Sequence, residues 1–322
     1  MIFVALAWVA WWAAATTGLQ RGIADWLDTQ RAQGVEVSVD DISRAGFPLR
    51  IAARVDGITV VDPLTTLRAP QVTISTPFYW PGHARVAASA PAALETIRGA
   101  AVIDWSLAQG NLRLRPNNAL QLESMQAQGQ NISVDLVEGR ILGIADLRVR
   151  VDQALTPEVY NITLSGAELT PGSIIRQALR LPAEWPEAFD TFAAQMTVGF
   201  DRPWDRSILG QSRPQPRKIE ITQAEAVWAD LNLSLTADLD VRDGVPSGIV
   251  RLRVANWKQM LDLATTGGAL SEDARPQIES GLRLLSGLSG GGDTIDLEIT
   301  MEQGRMRIGF IPLGDAPRIV IP

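Results

Sequence analysis

The side chains that most often carry out catalysis are scarce in this chain of 322 residues. It has one histidine, His83, and no cysteine. Thiolate chemistry and a histidine-rich metal site are therefore excluded, and a Ser-His-Asp triad would have to use His83. Because Pro81 and Gly82 precede it, we expect His83 to lie in a loop and to take no part in catalysis.

Neighbouring carboxylates, which could act as a general acid and base, occur at Asp40-Asp41 and Glu272-Asp273. We expect the first pair where a strand ends and the second where a helix begins, since acids complement a helix N-terminus. A glycosidase needs two carboxylates that face each other, and the sequence alone does not show this. We predict no enzyme and no cofactor or metal, and keep a hydrolase of glycans or lipids as a third hypothesis.

The strongest pattern is an alternation of apolar and polar residues. In residues 231–241 every odd position is apolar and every even position is Asn, Ser, Thr or Asp. A period of two predicts a long strand with one apolar and one polar face. The same alternation recurs along most of the chain. The residues we expect to line an apolar binding face are Ile132, Val134, Leu136, Leu231, Leu233, Leu235, Leu239, Ile295, Leu297 and Ile299.

This alternation predicts a mainly β (α+β) fold: a large curved antiparallel sheet with a few covering helices, preceded by an N-terminal transmembrane or stalk helix. We expect three parts. Residues 1–33 form the anchor and stalk, 34–201 a first β-rich part with a helical insert near 171–190, and 202–322 a second with two helices near 256–289. Pairs that predict turns between strands are Asp56-Gly57, Gln109-Gly110, Asp243-Gly244 and Gln303-Gly304.

The N-terminus suggests the cellular location. Residues 2–20 are uncharged and about long enough to cross a bilayer. We expect an uncleaved signal anchor: a single span in the inner membrane, with the bulk of the chain in the periplasm. The alternatives are a signal peptide cleaved near Ala13-Ala14-Ala15 and a buried helix.

The charge balance limits the partners. The net charge is −7 and there is no basic run, which argues against nucleic acid and against broad attraction to anionic lipid headgroups.

Two functional hypotheses follow from the excess of strands over helices. A helical stripe from Leu270 to Leu288 is too short to cover a sheet of ten or more strands. The remaining apolar face must therefore close on itself, pack on a second sheet, or bind a ligand. We expect it to bind lipid acyl chains, with phospholipid as the ligand. The alternative is a periplasmic scaffold with a closed core and an envelope protein as partner.

Two short passages resemble a known family. The first is the signature Gly46, Phe47, Pro48, Leu49 and Arg50, and the second is a closing pattern carried by Gly304, Gly309, Pro312, Leu313 and Pro317. Together they resemble the DUF2125 family of alphaproteobacterial envelope proteins and, more distantly, the AsmA-like group. The second likeness implies curved sheets with apolar grooves that move phospholipid or support outer-membrane assembly. From the residues themselves we expect the signature to be structural, with Phe47 in the core and Arg50 near Asp40 or Asp41.

Overall fold

The computed structural model describes residues 2–32, 34, 36–62, 65–79, 82–96, 99–115, 119–183, 185–209, 213–268, 270–288, 292–309 and 311–321. The fold is mainly β, with antiparallel pairing and a few helices, as predicted. The chain divides into two compact units. Unit 1 comprises Met1–Glu138 and Asp205–Gly210, and unit 2 comprises Gly139–Trp204 and Gln211–Pro322.

The described residues of unit 1 form one long helix and nine strands. Its elements are α1 (Ile2–Ala32), β1 (Glu36–Ser38), β2 (Asp41–Ala45), β3 (Arg50–Asp62), β4 (Thr65–Pro77), β5 (His83–Ser89), β6 (Ala92–Thr96), β7 (Gly99–Asp104), β8 (Leu107–Arg115) and β9 (Gln121–Leu136), with a short 3-10 helix at Arg206–Leu209. The long strands each pair with two shorter ones: β3 with β1 and β2, β4 with β5 and β6, and β9 with β7 and β8.

In unit 2 the part of the chain that the structure describes contains ten strands and three helices. Its elements are β10 (Gly139–Gln153), β11 (Val159–Ala167), β12 (Thr170–Pro171), α2 (Ser173–Ala178), β13 (Thr191–Phe200), β14 (Pro216–Trp228), β15 (Leu231–Arg242), β16 (Val245–Ala255), α3 (Trp257–Thr266), α4 (Arg275–Leu288), β17 (Thr294–Glu302), β18 (Arg305–Ile308) and β19 (Ile311–Asp315). From β13 onward each strand pairs with the next, which makes an antiparallel meander.

The division into units differs from the one we expected. The predicted boundary at residue 202 rested on a proline-rich loop, and compactness instead places the boundary at Gly139. The strands on either side of that loop, β13 and β14, are hydrogen-bonded neighbours along most of their length. The loop is therefore a connection within one sheet.

Two predicted turns are wrong. Asp56-Gly57 lies inside β3 and Gln109-Gly110 lies inside β8. Gly57 has a φ of +62°, and a Cβ there would come within 1.8 Å of the Asp40 carboxylate. Gly57 lies where β3 changes its partner from β2 to β1. Glycine is needed there because the Asp40 carboxylate approaches the backbone closely, and the chain does not reverse at this point.

The N-terminal helix packs along the strands of unit 1. Trp12 donates from Nε1 to the Arg50 carbonyl at 2.7 Å, and Arg31 donates from Nε to the Val37 carbonyl at 2.7 Å. Between them Thr16 is fully buried. Over the described residues, no helix combines the length and apolarity that crossing a membrane requires. The predicted N-terminal helix is present as α1, with one side on the sheet.

Candidate apolar binding face

The strand register of unit 2 aligns apolar side chains in rows that cross the sheet. Directly paired residues point to the same face. The central row runs through Val151, Ile162, Met196, Ile221, Ala237, Val250, Ile299 and Ile308. A row on one side of it runs through Val149, Leu164, Ala194, Ala224, Leu235, Leu252 and Leu297. We call this surface the apolar face.

Helices α3 and α4 pack on one end of the apolar face. Trp257 and Leu261 of α3 form a buried cluster with Val254 of β16 and Ile295 of β17. Leu270 and Leu282, from the predicted helical stripe, pack against the same cluster. This end is a conventional helix-on-sheet core.

A second apolar cluster lies farther along the same strands, and all its members are strand residues. Ala237, Leu239 and Val250 are buried at its centre. Around them lie five partly buried side chains: Ile219, Ile221, Leu235, Ile299 and Met301. All eight residues belong to β14–β17. We call these eight residues the strand-only cluster.

The opposite face of β15–β17 is polar, and its charges pair across strands. Arg253 makes two hydrogen bonds to Asp296, at 2.6 and 2.9 Å, and Arg251 contacts Glu298 at 3.2 Å. Hydrogen bonding from Arg253, with its charge, holds the pKa of Asp296 below its usual value. An open depression of about 420 Å³ on these strands is lined by Ser234, Thr236, Arg251, Leu252, Arg253, Asp296, Leu297 and Glu298. Both carboxylates of this depression, Asp296 and Glu298, are paired with arginines.

Side chains that could bind a metal ion do not cluster in the described part of the chain. Within it, no group of three or more His, Asp or Glu side chains could hold a metal ion. His83 is the first residue of β5, where it accepts a hydrogen bond from Arg113 Nε at 3.1 Å. The prediction that it lies in a loop is therefore wrong.

The predicted lining residues divide between the units. Ile132, Val134 and Leu136 lie on β9 in unit 1, where Val134 pairs with Ile103 and Leu136 with Ala101. The other seven lie on the apolar face of unit 2: Leu231, Leu233, Leu235, Leu239, Ile295, Leu297 and Ile299. Leu231, Leu239 and Ile295 are buried, so the partly exposed members in unit 2 are Leu233, Leu235, Leu297 and Ile299.

The signature forms the turn between β2 and β3. Gly46 has a φ of +89°, and its carbonyl accepts from the Arg50 backbone N–H at 2.9 Å. A Cβ on Gly46 would come within 2.7 Å of the Arg50 carbonyl, so the turn requires glycine.

Two expectations for this signature are wrong. Phe47 is 55% exposed and does not fill the core. Arg50 was expected near Asp40 or Asp41, but it begins β3 beside the end of β2, because the two strands are antiparallel. Asp41 begins β2 and pairs with Asp56 at the opposite end of the hairpin.

A family model described as an uncharacterized protein conserved in bacteria, DUF2125, matches residues 12–317. The chain belongs to the DUF2125 family. The match covers the signature, the apolar face and the closing pattern, as the resemblance predicted. No curated protein and no solved structure matches the chain. The more distant likeness to the AsmA-like group stays a prediction.

One surface that the sequence analysis missed lies in unit 1, partly before the start of the DUF2125 match. Trp8 and Trp11 of α1 pack against Phe78, beyond the end of β4. Three tryptophans within residues 8–12 were a signal for such a surface, since Trp favours boundaries between apolar and polar surroundings. Phe78 follows Trp8 and Trp11 by more than 60 residues in the chain, so only the fold brings these rings together.

Proposed function

We propose that this DUF2125 protein is a non-catalytic lipid-handling protein that holds acyl chains against the apolar face of unit 2. The observation that carries the proposal is the strand-only cluster on β14–β17. Five of its eight side chains keep part of their surface in solvent, on strands whose opposite face is polar and ion-paired. An apolar ligand would cover that surface and gain roughly 25 cal/mol for each Å² removed from water.

The total exposed surface also favours a bound ligand. The chain exposes 18995 Å². Two separate compact proteins with the masses of units 1 and 2 would expose roughly 15,700 Å² together, from the usual scaling of surface with mass. The units therefore leave more surface in water than compact domains do.

The dimensions of the apolar face suit an acyl chain. The central row crosses eight strands, and at ~4.8 Å per strand it extends over about 34 Å. One leaflet of a bilayer is about 15 Å deep in its hydrocarbon region. The row carries no charged side chain, so an acyl chain along it would leave no buried charge unpaired.

The test is mass spectrometry of lipids that co-purify with the detergent-free protein, compared between two variants. Leu235→Gln places a polar amide on the apolar face, and Thr236→Gln places the same group on the polar face of the same strand. We expect stoichiometric phospholipid in the wild type and in Thr236→Gln, and a clear loss in Leu235→Gln. Circular dichroism checks that both variants fold. A lipid-free wild type, or equal lipid content in both variants, would refute the proposal.

A second candidate function is a scaffold that pairs with an envelope protein through a strand. The observation that favours it is β19, a short strand paired with β18 in which all five residues are exposed. Such a strand could accept a partner strand, although Pro312 removes one hydrogen-bond donor. Site-specific crosslinking from residue 313 in cells would capture such a partner. A lipid-free, well-folded protein with a specific crosslink there would favour this function over the first.

The expected location belongs to the proposal as well. We propose that both units act in the periplasm, beside the inner membrane. The uncharged N-terminal run supports this. A reporter that is active only after export, fused to the C-terminus, tests it. An inactive export reporter, together with activity of a second reporter that works only in the cytoplasm and is fused at the same place, would contradict it.

A further inference from the structure

Six aromatic rings of unit 1 form two groups of ring contacts, which together we call the aromatic patch. Trp8 stacks on Trp11 at 5.4 Å, and Phe78 contacts Trp8 edge-on at 4.8 Å and Tyr79 at 5.3 Å. Trp12 contacts Phe47 edge-on at 5.2 Å. The patch thus joins α1 to the β2–β3 turn and to the residues that follow β4.

Hydrogen bonds fix the indoles while leaving ring surface exposed. Trp8 Nε1 donates to the Pro48 carbonyl at 3.2 Å, and Trp12 Nε1 donates to the Arg50 carbonyl at 2.7 Å. Phe47 is nevertheless 55% exposed and Tyr79 is 70% exposed. Further exposed apolar side chains flank the patch on α1 and in the turn: Phe3, Leu6, Val9 and Leu49. Exposed apolar side chains in such number are typical of an interaction surface.

The three segments that build the patch contain no acidic residue, in a chain that has 36 of them. Residues 2–20 are uncharged, residues 42–55 contain Arg44, Arg50 and Arg54, and residues 69–94 contain His83 and Arg85. All four arginines are exposed. The register places Arg50, Arg54 and Arg85 on the same face of β3–β5. The charged side chains within these three segments are therefore all arginines, although the whole chain has a net charge of −7.

We propose that the aromatic patch and these arginines dock unit 1 on the surface of a bilayer that contains anionic phospholipid. Aromatic rings with fixed N–H groups suit the boundary between headgroups and acyl chains. The exposed arginines complement lipid phosphates, and the absence of carboxylates removes the repulsion that the rest of the chain would suffer. The helix α1 lies along the surface with its outer apolar side toward the acyl chains. This inference concerns unit 1 and does not rest on acyl-chain binding by unit 2.

The test is flotation of the full chain with vesicles of phosphatidylcholine alone or mixed with phosphatidylglycerol. The double variant Phe47→Ser/Tyr79→Ser removes two exposed rings, and Val137→Ser/Leu155→Ser removes two exposed apolar side chains elsewhere. We expect the wild type and the control to bind the mixed vesicles equally, and the patch variant to bind roughly tenfold more weakly or worse. Arg50→Gln should weaken binding to mixed vesicles without changing binding to neutral ones.

Three outcomes would overturn the inference. They are equal binding by the patch variant and its control, equal binding of the wild type to both kinds of vesicle, and no vesicle binding combined with self-association that the patch variant abolishes. The last result would identify a second copy of the chain as the occupant. Lipid content measured on the same preparations reports separately on unit 2, so the two proposals can fail independently.

Discussion

Ile295 and Ile299 allow a matched test of whether the apolar face is accessible. Both lie on β17 and point to the same face, since they pair with Val254 and Val250 of β16. Ile295 is 0% exposed and packs with α3 and α4. Ile299 is partly buried in the strand-only cluster. The perturbation is the same in both cases, replacement by alanine.

The expected magnitudes differ because the surroundings differ. Ile→Ala removes three carbon atoms, worth about 2.4 kcal/mol of transfer free energy when fully buried. At Ile295 the cavity left under the helices adds about 1 kcal/mol, so the free energy of unfolding falls by roughly 3.5 kcal/mol. At Ile299 part of the side chain is already in water and solvent can enter the space, so we expect a loss of about 1.5–2 kcal/mol.

Urea unfolding of the full chain, followed by circular dichroism, measures both losses from midpoint shifts at unchanged slope. Because the two units can unfold separately, the comparison applies to the transition that both variants shift. A loss at Ile299 equal to that at Ile295 would refute the reasoning, because it would mean that the strand-only cluster is as tightly covered as the helix-covered end. Co-purified lipid should stabilise the wild type more than the Ile299→Ala variant.

Two further predictions concern the scaffold that carries these surfaces. Gly57→Ala should lower the free energy of unfolding by about 1–3 kcal/mol, because the added Cβ would meet the Asp40 carboxylate and φ is +62°. The control is Gly18→Ala in α1, which has open space around it and should be neutral or stabilising by up to about 1 kcal/mol. Thermal unfolding of both variants checks this. Asp296→Asn should reduce the decrease in the free energy of unfolding that acid causes. Arg253 lowers the pKa of Asp296 in the folded protein below its value in the unfolded chain. The stabilisation from Asp296 is therefore present above the pKa of the unfolded chain, and it is lost as the pH falls through the pKa of the folded protein. Urea midpoints measured from neutral pH into the acid range test this, and an unchanged pH profile would contradict it.

The strands of unit 2 illustrate what the sequence predicts well. The alternation in residues 231–241 predicted both the strand and its apolar face, and β15 has its buried residues at odd positions. Asp243-Gly244 was correctly predicted as a hairpin turn, because both residues adopt positive φ there, as a tight turn demands. Asp56-Gly57 carries a similar signal but lies within β3, because pairing with two successive partner strands outweighed the local turn preference.

The sequence by itself determined the local features of this protein: the period of two, the uncharged N-terminal run, the signature turn, and the scarcity of catalytic side chains. These depend on neighbours within a few positions. The tertiary structure decided which apolar residues are covered. Ile295 and Ile299 have the same side chain on the same strand face, and only the placement of α3 and α4 buries one fully. It also assembled the aromatic patch from three distant segments. Coverage and assembly depend on long-range contacts between elements, and a local pattern of residue types does not specify them.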